Sequence, residues 1–193
     1  MELGNSLISI NGEQTPTLEI LFMLTVLMLL PSIVVMMTSF LRIIIILSFT
    51  RTAIGVQQTP PNIVLVGMAI FLSLFIMNPV IQQIDTDAYQ PYQAGEMTQE
   101  EALDKAVVPM KQFMLKQTEV SALNLFTDAA DSEQVDNPEE LSLVVIVPAF
   151  VTSELKRAFT MGFLLYIPFL IIDMVVSSTL MSMGMVMLPP SMI

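Results

Sequence analysis

The sequence predicts an all-α integral membrane protein, with two helical hairpins flanking a small helical acidic insert on the extracytoplasmic side. Three observations carry this reading. First, 54% of the 193 residues are hydrophobic and only 13% are charged, an excess of apolar surface that asks for lipid as the solvent. Second, the charge is confined. Asp85 to Glu140 holds 13 acidic residues and three lysines, a balance of −10, while the other 137 residues carry four basic and five acidic groups, which gives the total of −11. Third, apolar runs of helix length punctuated by Pro and Gly divide the chain into four parts. Residues 1–16 are a polar N-terminal segment, and 17–84 a first hydrophobic hairpin. Residues 85–140 form the acidic insert, and 141–193 a second hairpin with a methionine-rich turn.

Taken in order, residues 1–16 contain Glu2 and Glu13 and no basic stretch, so no signal peptide is read there. Residues 18–49 are apolar except for Glu19 and Arg42, more than the roughly 20 residues that a bilayer crossing needs. Pro31 is expected to kink or break that helix. The stretch from Gly55 to Asn62 reads as a turn, and Ile63 to Ile84 as the returning helix. Arg42 and Arg51 near the turn place it in the cytoplasm and the insert on the opposite face. Within the insert, Thr98-Gln99-Glu100-Glu101 is a capping box that opens a helix ending near Pro109. A second helix is expected from Pro109, with Met110, Phe113, Met114, Val120 and Leu123 on its apolar face. Asn137-Pro138 caps the way back into apolar sequence. A helix over 141–157 would span roughly 24 Å, slightly short of a hydrocarbon core. The second hairpin is expected to break around Glu154–Arg157, with a returning limb over 159–188.

With no cysteine and no histidine, disulfides, thiol nucleophiles, His-based acid–base chemistry and the usual zinc or haem ligands are excluded. No phosphate-binding glycine loop or nucleophile–base pair is present, so no catalytic residue, cofactor or metal ligand is assigned. Nucleic acid is an unsuitable partner for a chain without clustered Lys and Arg. What remains are ionisable side chains at membrane depth: Arg42, Glu154, Lys156, Arg157 and Asp173. Such groups need a partner, water or a membrane edge. For Arg42, Lys156 and Arg157 the ordinary alternative is snorkelling to an interface. Glu154 stands three positions before Arg157 and is placed to pair with it on one helix face. Asp173, apolar on both sides for many residues, is expected between helices or subunits, against Arg157 or a group of another chain. The run from Met181 to Pro190 puts a methionine at every second position, a pattern that shares one face only in an extended or irregular segment. Flexible thioethers there would make an apolar seal. A small-solute or ion transporter is the alternative function, since broken helices and buried charges suit it too, but no inverted repeat supports it.

Three stretches resemble the FliP family, membrane proteins of flagellar and related type III secretion export gates. The first is Thr38-Ser39-Phe40-Leu41-Arg42-Ile43-Ile44 with Gly55-Val56-Gln57-Gln58-Thr59-Pro60-Pro61-Asn62. The second runs from Val147-Pro148-Ala149-Phe150 through Thr152-Ser153-Glu154-Leu155-Lys156-Arg157 to Phe159. The third runs from Gly162-Phe163-Leu164-Leu165-Tyr166-Ile167-Pro168 through Asp173 to Leu188-Pro189-Pro190. The resemblance implies a gate subunit in the bacterial inner membrane at the flagellar basal body. It implies several copies, about five in a ring-like assembly, together with FliQ-like, FliR-like and FlhB-like subunits, around a path for unfolded export substrates. It puts the sealing gasket at Met183, Met185, Val186 and Met187, with Val186 standing where family members often have a third methionine. Family members also carry a cleavable signal segment before the region matching this sequence and one more hydrophobic segment after it.

Overall fold

The computed structural model describes residues 7–10, 13–56, 58–130 and 137–184, with side chains from Ile20 onward apart from Val34. A short ribbon, β1 (Leu7–Ile10) and β2 (Glu13–Pro16), pairs antiparallel with Ile10 opposite Glu13. In the sequence these strands are separated by Asn-Gly, the dipeptide that two-residue hairpin turns favour. Everything else with regular structure among the described residues is helical, in keeping with the predicted class.

Helix α1 (Thr17–Met36) keeps Pro31 inside it, and the chain breaks six residues later, at Met37–Ser39. Helix α2 (Phe40–Ala53) then leads into the turn before α3 (Asn62–Ile84). Gly55 sits in that turn at φ +82, a left-handed conformation that glycine adopts without penalty. The arginine Arg51 closes the turn from its start, donating to the Pro60 carbonyl at 3.2 Å and to Asn62 Oδ1 at 2.6 Å. Helix α3 runs without a stop through a π-helical turn (Asp85–Tyr89) into α4 (Gln90–Gln93).

In the insert, α5 (Gln99–Gln117) begins at the predicted capping box: Thr98 Oγ1 accepts from the Glu101 N–H, and Glu101 accepts from the Thr98 N–H. The expected boundary at Pro109 does not form. Pro109 is buried within a continuous helix, and the chain turns instead at Thr118–Glu119, where both residues are extended, before α6 (Val120–Ala129). An interior proline forfeits one backbone hydrogen bond, and the packing of α5 on α3 and α7 outweighs it. Asn137 Oδ1 caps a single 3-10 turn, Pro138–Glu140, through the Glu139 N–H. Lys111 Nζ ties that turn to α5 by donating to the Leu141 carbonyl at 2.9 Å.

Helix α7 (Leu143–Ser182) corrects the sequence expectation most. It is one helix of 40 residues, about 60 Å long, with no break at Glu154–Arg157 and no returning limb before Ser182. Polarity over 152–157 suggested a turn, but the side chains of 153, 154, 156 and 157 all meet partners on neighbouring helices or the preceding helical turn, so the backbone has no cause to open. The first half of α7 packs along α2 and is crossed by α5 and α6. A small core of Met114, Leu141, Ile146 and Phe150 fills the junction, with the Phe113 and Phe150 rings edge to face at 6.0 Å. Two stretches are long and apolar enough to cross a membrane, Asn62–Gln93 and Leu143–Ser182, with a shorter apolar stretch at Ile20–Ile33.

Candidate functional site

Four of the five membrane-depth charges singled out in the sequence converge where α2, the α5–α6 elbow and α7 meet. Glu154 is 1% exposed. A carboxylate that deep needs full compensation, and Arg42 supplies it from 112 positions away in sequence. Its Nε donates to Glu154 Oε2 at 2.7 Å, and its Nη2 donates to Glu154 Oε1, a bidentate clasp. Arg42 lies in the first turn of α2, where the helix dipole disfavours a cation. The α7 carboxylate offsets that as well. The predicted Glu154–Arg157 pair along one helix is therefore not made. Glu154 faces α2, and Arg157 Nη1 donates to Gln117 Oε1 at 3.1 Å.

Gln117 is the hub that sequence reasoning missed. Its Oε1 accepts from both Arg42 Nη2 and Arg157 Nη1, each at 3.1 Å, so one neutral amide holds two guanidinium groups beside one carboxylate. Two residues on, Glu119 Oε2 accepts from Lys156 Nζ at 2.5 Å, and the Glu119 N–H donates to Ser153 Oγ at 2.9 Å. Ser153 Oγ in turn donates to the Ala149 carbonyl at 2.8 Å. Glu119 is the N-cap residue of α6 and has no side-chain cap, so Ser153 of α7 satisfies a backbone donor at that elbow. Lys156, with Arg157 behind it, holds the Glu119 carboxyl below the usual carboxylate range. The elbow residues Gln117 and Glu119 thus clamp the acidic insert to both α2 and α7. Nothing in the sequence separated them from the other polar residues of the insert. Ser153 lies one residue before Glu154, and its uncharged side chain carried no such signal.

Below this cluster, α2 approaches α7 closely. A methyl group built on Gly162 would meet Phe49 Cγ and Cδ2 at 2.7 Å. Phe49 also lies edge-on to Phe159, with ring centroids 5.8 Å apart. Ala158 and Gly162, one helical turn apart on α7, are both buried and small, the kind of surface that lets helices meet in a membrane.

The remaining candidates stand apart from the cluster. Asp173 is exposed on the far half of α7, about 24 Å along the same helix from Arg157, so those two cannot pair within one chain. Met183 is exposed just past the helix end, where its N–H still reaches the Thr179 and Leu180 carbonyls, and Gly184 follows at φ +83. That is a glycine stop of the left-handed kind. Met185, Val186 and Met187 lie outside the described residues.

The model of the FliP family matches residues 23–193. That span takes in every member of the polar cluster. The flagellar biosynthetic protein FliP of Pectobacterium carotovorum subsp. carotovorum is 47% identical over 183 residues, covering 94% of this chain and 71% of its own. The FliP of Bacillus subtilis (strain 168) is 46% identical, with 98% of this chain and 88% of its own covered. The chain belongs to the FliP family. Its relative from Aquifex aeolicus (strain VF5) is 46% identical, over 94% of this chain and 77% of its own. Membership in the FliP family makes this chain a membrane-associated component of flagellum biogenesis and export. The β1–β2 ribbon lies ahead of the matched region.

Proposed function

We propose that this FliP-family chain is a subunit of the type III protein export gate of the bacterial inner membrane at the flagellar basal body. In this reading, several copies join FliQ-like, FliR-like and FlhB-like subunits around a channel for unfolded flagellar proteins. Family membership carries the proposal. The geometry supports it in one respect. The clamp at Arg42, Gln117, Glu119 and Glu154 makes α2, the insert and the near half of α7 into one packed block. Apolar side chains of α1, α3 and the far half of α7 point outward, Phe22 at 71%, Phe75 at 81% and Met174 at 65% exposure. A rigid block with apolar outer faces suits a subunit that assembles with others in lipid. The acidic insert lies on the extracytoplasmic side, at the end of α3 opposite the turn that carries Arg51. The seal consists of Met183, Met185, Val186 and Met187, which lie on either side of Gly184 in the sequence.

The test is complementation of a strain lacking this gene. Export is read as flagellar protein in the culture medium, and closure as the leak of small ions through the membrane. Replacing Met185 and Met187 together with Ala is expected to preserve assembly while the closed complex leaks. A complementing, non-leaky double variant would place the seal elsewhere, and a strain that exports normally without the gene would refute the export role.

A further inference from the structure

We propose that the amino-terminal ribbon joins two copies of this chain, the β1 strand of one pairing antiparallel with the β1 strand of the other. This pairing rests on the several copies of the export-gate reading and adds where two of them touch. Strands β1 and β2 have four residues each and lie ahead of the region that the family model matches. They make the only sheet among the described residues, and it has two strands. An isolated two-stranded ribbon is marginal in water, and further strands make it hold.

The register fixes which backbone groups remain for that purpose. Ile10 pairs with Glu13 across a two-residue turn, so these two exchange both of their backbone hydrogen bonds. The pattern alternates away from the turn. Ile8 and Thr15 again bond each other, whereas Ser9 with Gln14 and Leu7 with Pro16 turn their backbone groups to the free edges. Pro16 thus falls at an outward position, where its missing N–H costs the ribbon nothing. It also shuts the β2 edge. Pro16 offers no donor there, Glu13 puts a charge on the strand, and the chain leaves at Thr17 into α1. Proline and charge are common guards of an edge strand. The β1 edge has neither: Leu7-Ile8-Ser9-Ile10 is uncharged, and Leu7 and Ser9 each present an outward donor and acceptor.

One open edge per chain selects a second copy as the occupant. Two β1 edges meeting antiparallel satisfy each other, with Leu7 opposite Ser9 of the second copy on either side of an Ile8–Ile8 pair. No like charges come to face each other, because β1 carries none. With the β2 edges shut, the sheet closes on two ribbons and does not grow into a fibre. Two copies in one membrane share their orientation, so their twofold axis runs along the membrane normal. The twofold of an antiparallel pair is perpendicular to its sheet, so the joined ribbons lie flat to the bilayer plane.

The chain has no cysteine, so single cysteines in the full chain, oxidised mildly in its membrane, report the register. At the twofold, Ile8 meets Ile8 as a non-hydrogen-bonded pair with Cα atoms about 4.5 Å apart, within the reach of a disulfide. Ile8→Cys is expected to give a disulfide-linked dimer. Ser9→Cys and Leu7→Cys are each expected to give none, since like residues there stand two positions out of register, about 9 Å apart. Adding Ser9→Pro to Ile8→Cys removes an outward N–H and no bond within the ribbon, and should abolish the dimer. Gln14→Pro makes the same change on the shut edge and should leave the dimer intact. Equal cross-linking at 7, 8 and 9, no link at Ile8→Cys, or a link that survives Ser9→Pro would overturn the proposal. The mass of the cysteine-free complex in nanodiscs separates this from the export-gate reading. Copies that assemble without an Ile8→Cys link refute the pairing alone, and a chain that stays single refutes the several copies as well.

Discussion

Gly162→Ala tests whether the close α2–α7 approach holds the membrane core together. At an exposed helical position this change should stabilise by about 1 kcal/mol through helix propensity. Here the new Cβ would lie 2.7 Å from Phe49 Cγ and Cδ2 and 3.1 Å from Phe49 Cβ, whereas ordinary contact begins near 3.4 Å. The ring must therefore retreat by about 0.7 Å, the difference between those two distances. It cannot swing aside cheaply, because Phe159 stands edge-on at 5.8 Å and 90°. Overpacking of this kind costs about 1–3 kcal/mol, so the sum is a loss of up to about 2 kcal/mol. In a Phe49→Ala background the ring carbons are gone and only the Cβ at 3.1 Å remains, so Gly162→Ala should lose most of its cost. The coupling between the two sites is then most of the overpacking cost, about 1–3 kcal/mol. Gly67→Ala in α3 is the control, because nothing lies within 4 Å of its Cβ position. Thermal unfolding in mild detergent, followed by helix circular dichroism, resolves this, since 1 kcal/mol moves Tm by about 2–4 °C at this chain length. A rise in Tm of equal size for Gly162→Ala in both backgrounds would refute the close approach.

Three further outcomes follow from the polar cluster. Glu154→Ala should destabilise by about 3 kcal/mol by stranding Arg42, and adding Arg42→Met should recover much of that loss, as read from the same melts. Ser153→Ala removes the hydroxyl that accepts the Glu119 N–H and should cost about 1–2 kcal/mol, with hydrogen exchange speeding up first at the start of α6. The Glu119–Lys156 contact fixes a pH dependence. Because the folded carboxyl titrates below its unfolded value, its stabilisation is complete above the ordinary carboxylate range and is lost as pH falls through the lowered folded value. Lys156→Met should flatten this acid limb by lowering stability at neutral pH towards its acid value.

Some of this was legible in the sequence because it rests on local or compositional physics. Apolar runs gave the helices of the first hairpin, and Thr98 with Glu101 gave the start of α5. Arg42, Glu154, Lys156 and Arg157 were found because charge in apolar sequence always needs an explanation. Their partners were not. A Glu–Arg spacing of three is a sound local prior, yet a long-range bidentate clasp to Arg42 outweighs an exposed pair on one helix. Gln117 escaped because an amide carries no charge and its role exists only once two helices bring arginines to it. Pro109 and the polar stretch of α7 misled for one reason: packing against neighbours overrides a local stop signal. The β1–β2 ribbon had its Asn-Gly signal, hidden in a segment read only as polar.

The two halves of α7 argue for a division of labour along one helix. Every buried residue of α7 lies between Val145 and Gly162. From Phe163 to Ser182 none is buried, although Phe163, Leu164, Ile171, Ile172 and Met174 are among its side chains. A helix about 60 Å long is roughly twice the hydrocarbon thickness, so one bilayer crossing cannot account for all of it. The near half is satisfied within the chain, by α2 through Arg42 and the Phe49 approach and by the insert through Gln117 and Ser153. The far half must find its cover outside the chain, in lipid or in other subunits. A movement of the insert relative to the membrane helices would have to pass through the Gln117–Glu119 elbow, where the described contacts between the α5–α6 turn and α2 or α7 include four hydrogen bonds on two residues. Such a joint is stiff while its charges are paired. It loosens as a unit when Glu119 is protonated or Arg42 is lost, which is why both perturbations should loosen the start of α6 before the core around Phe150.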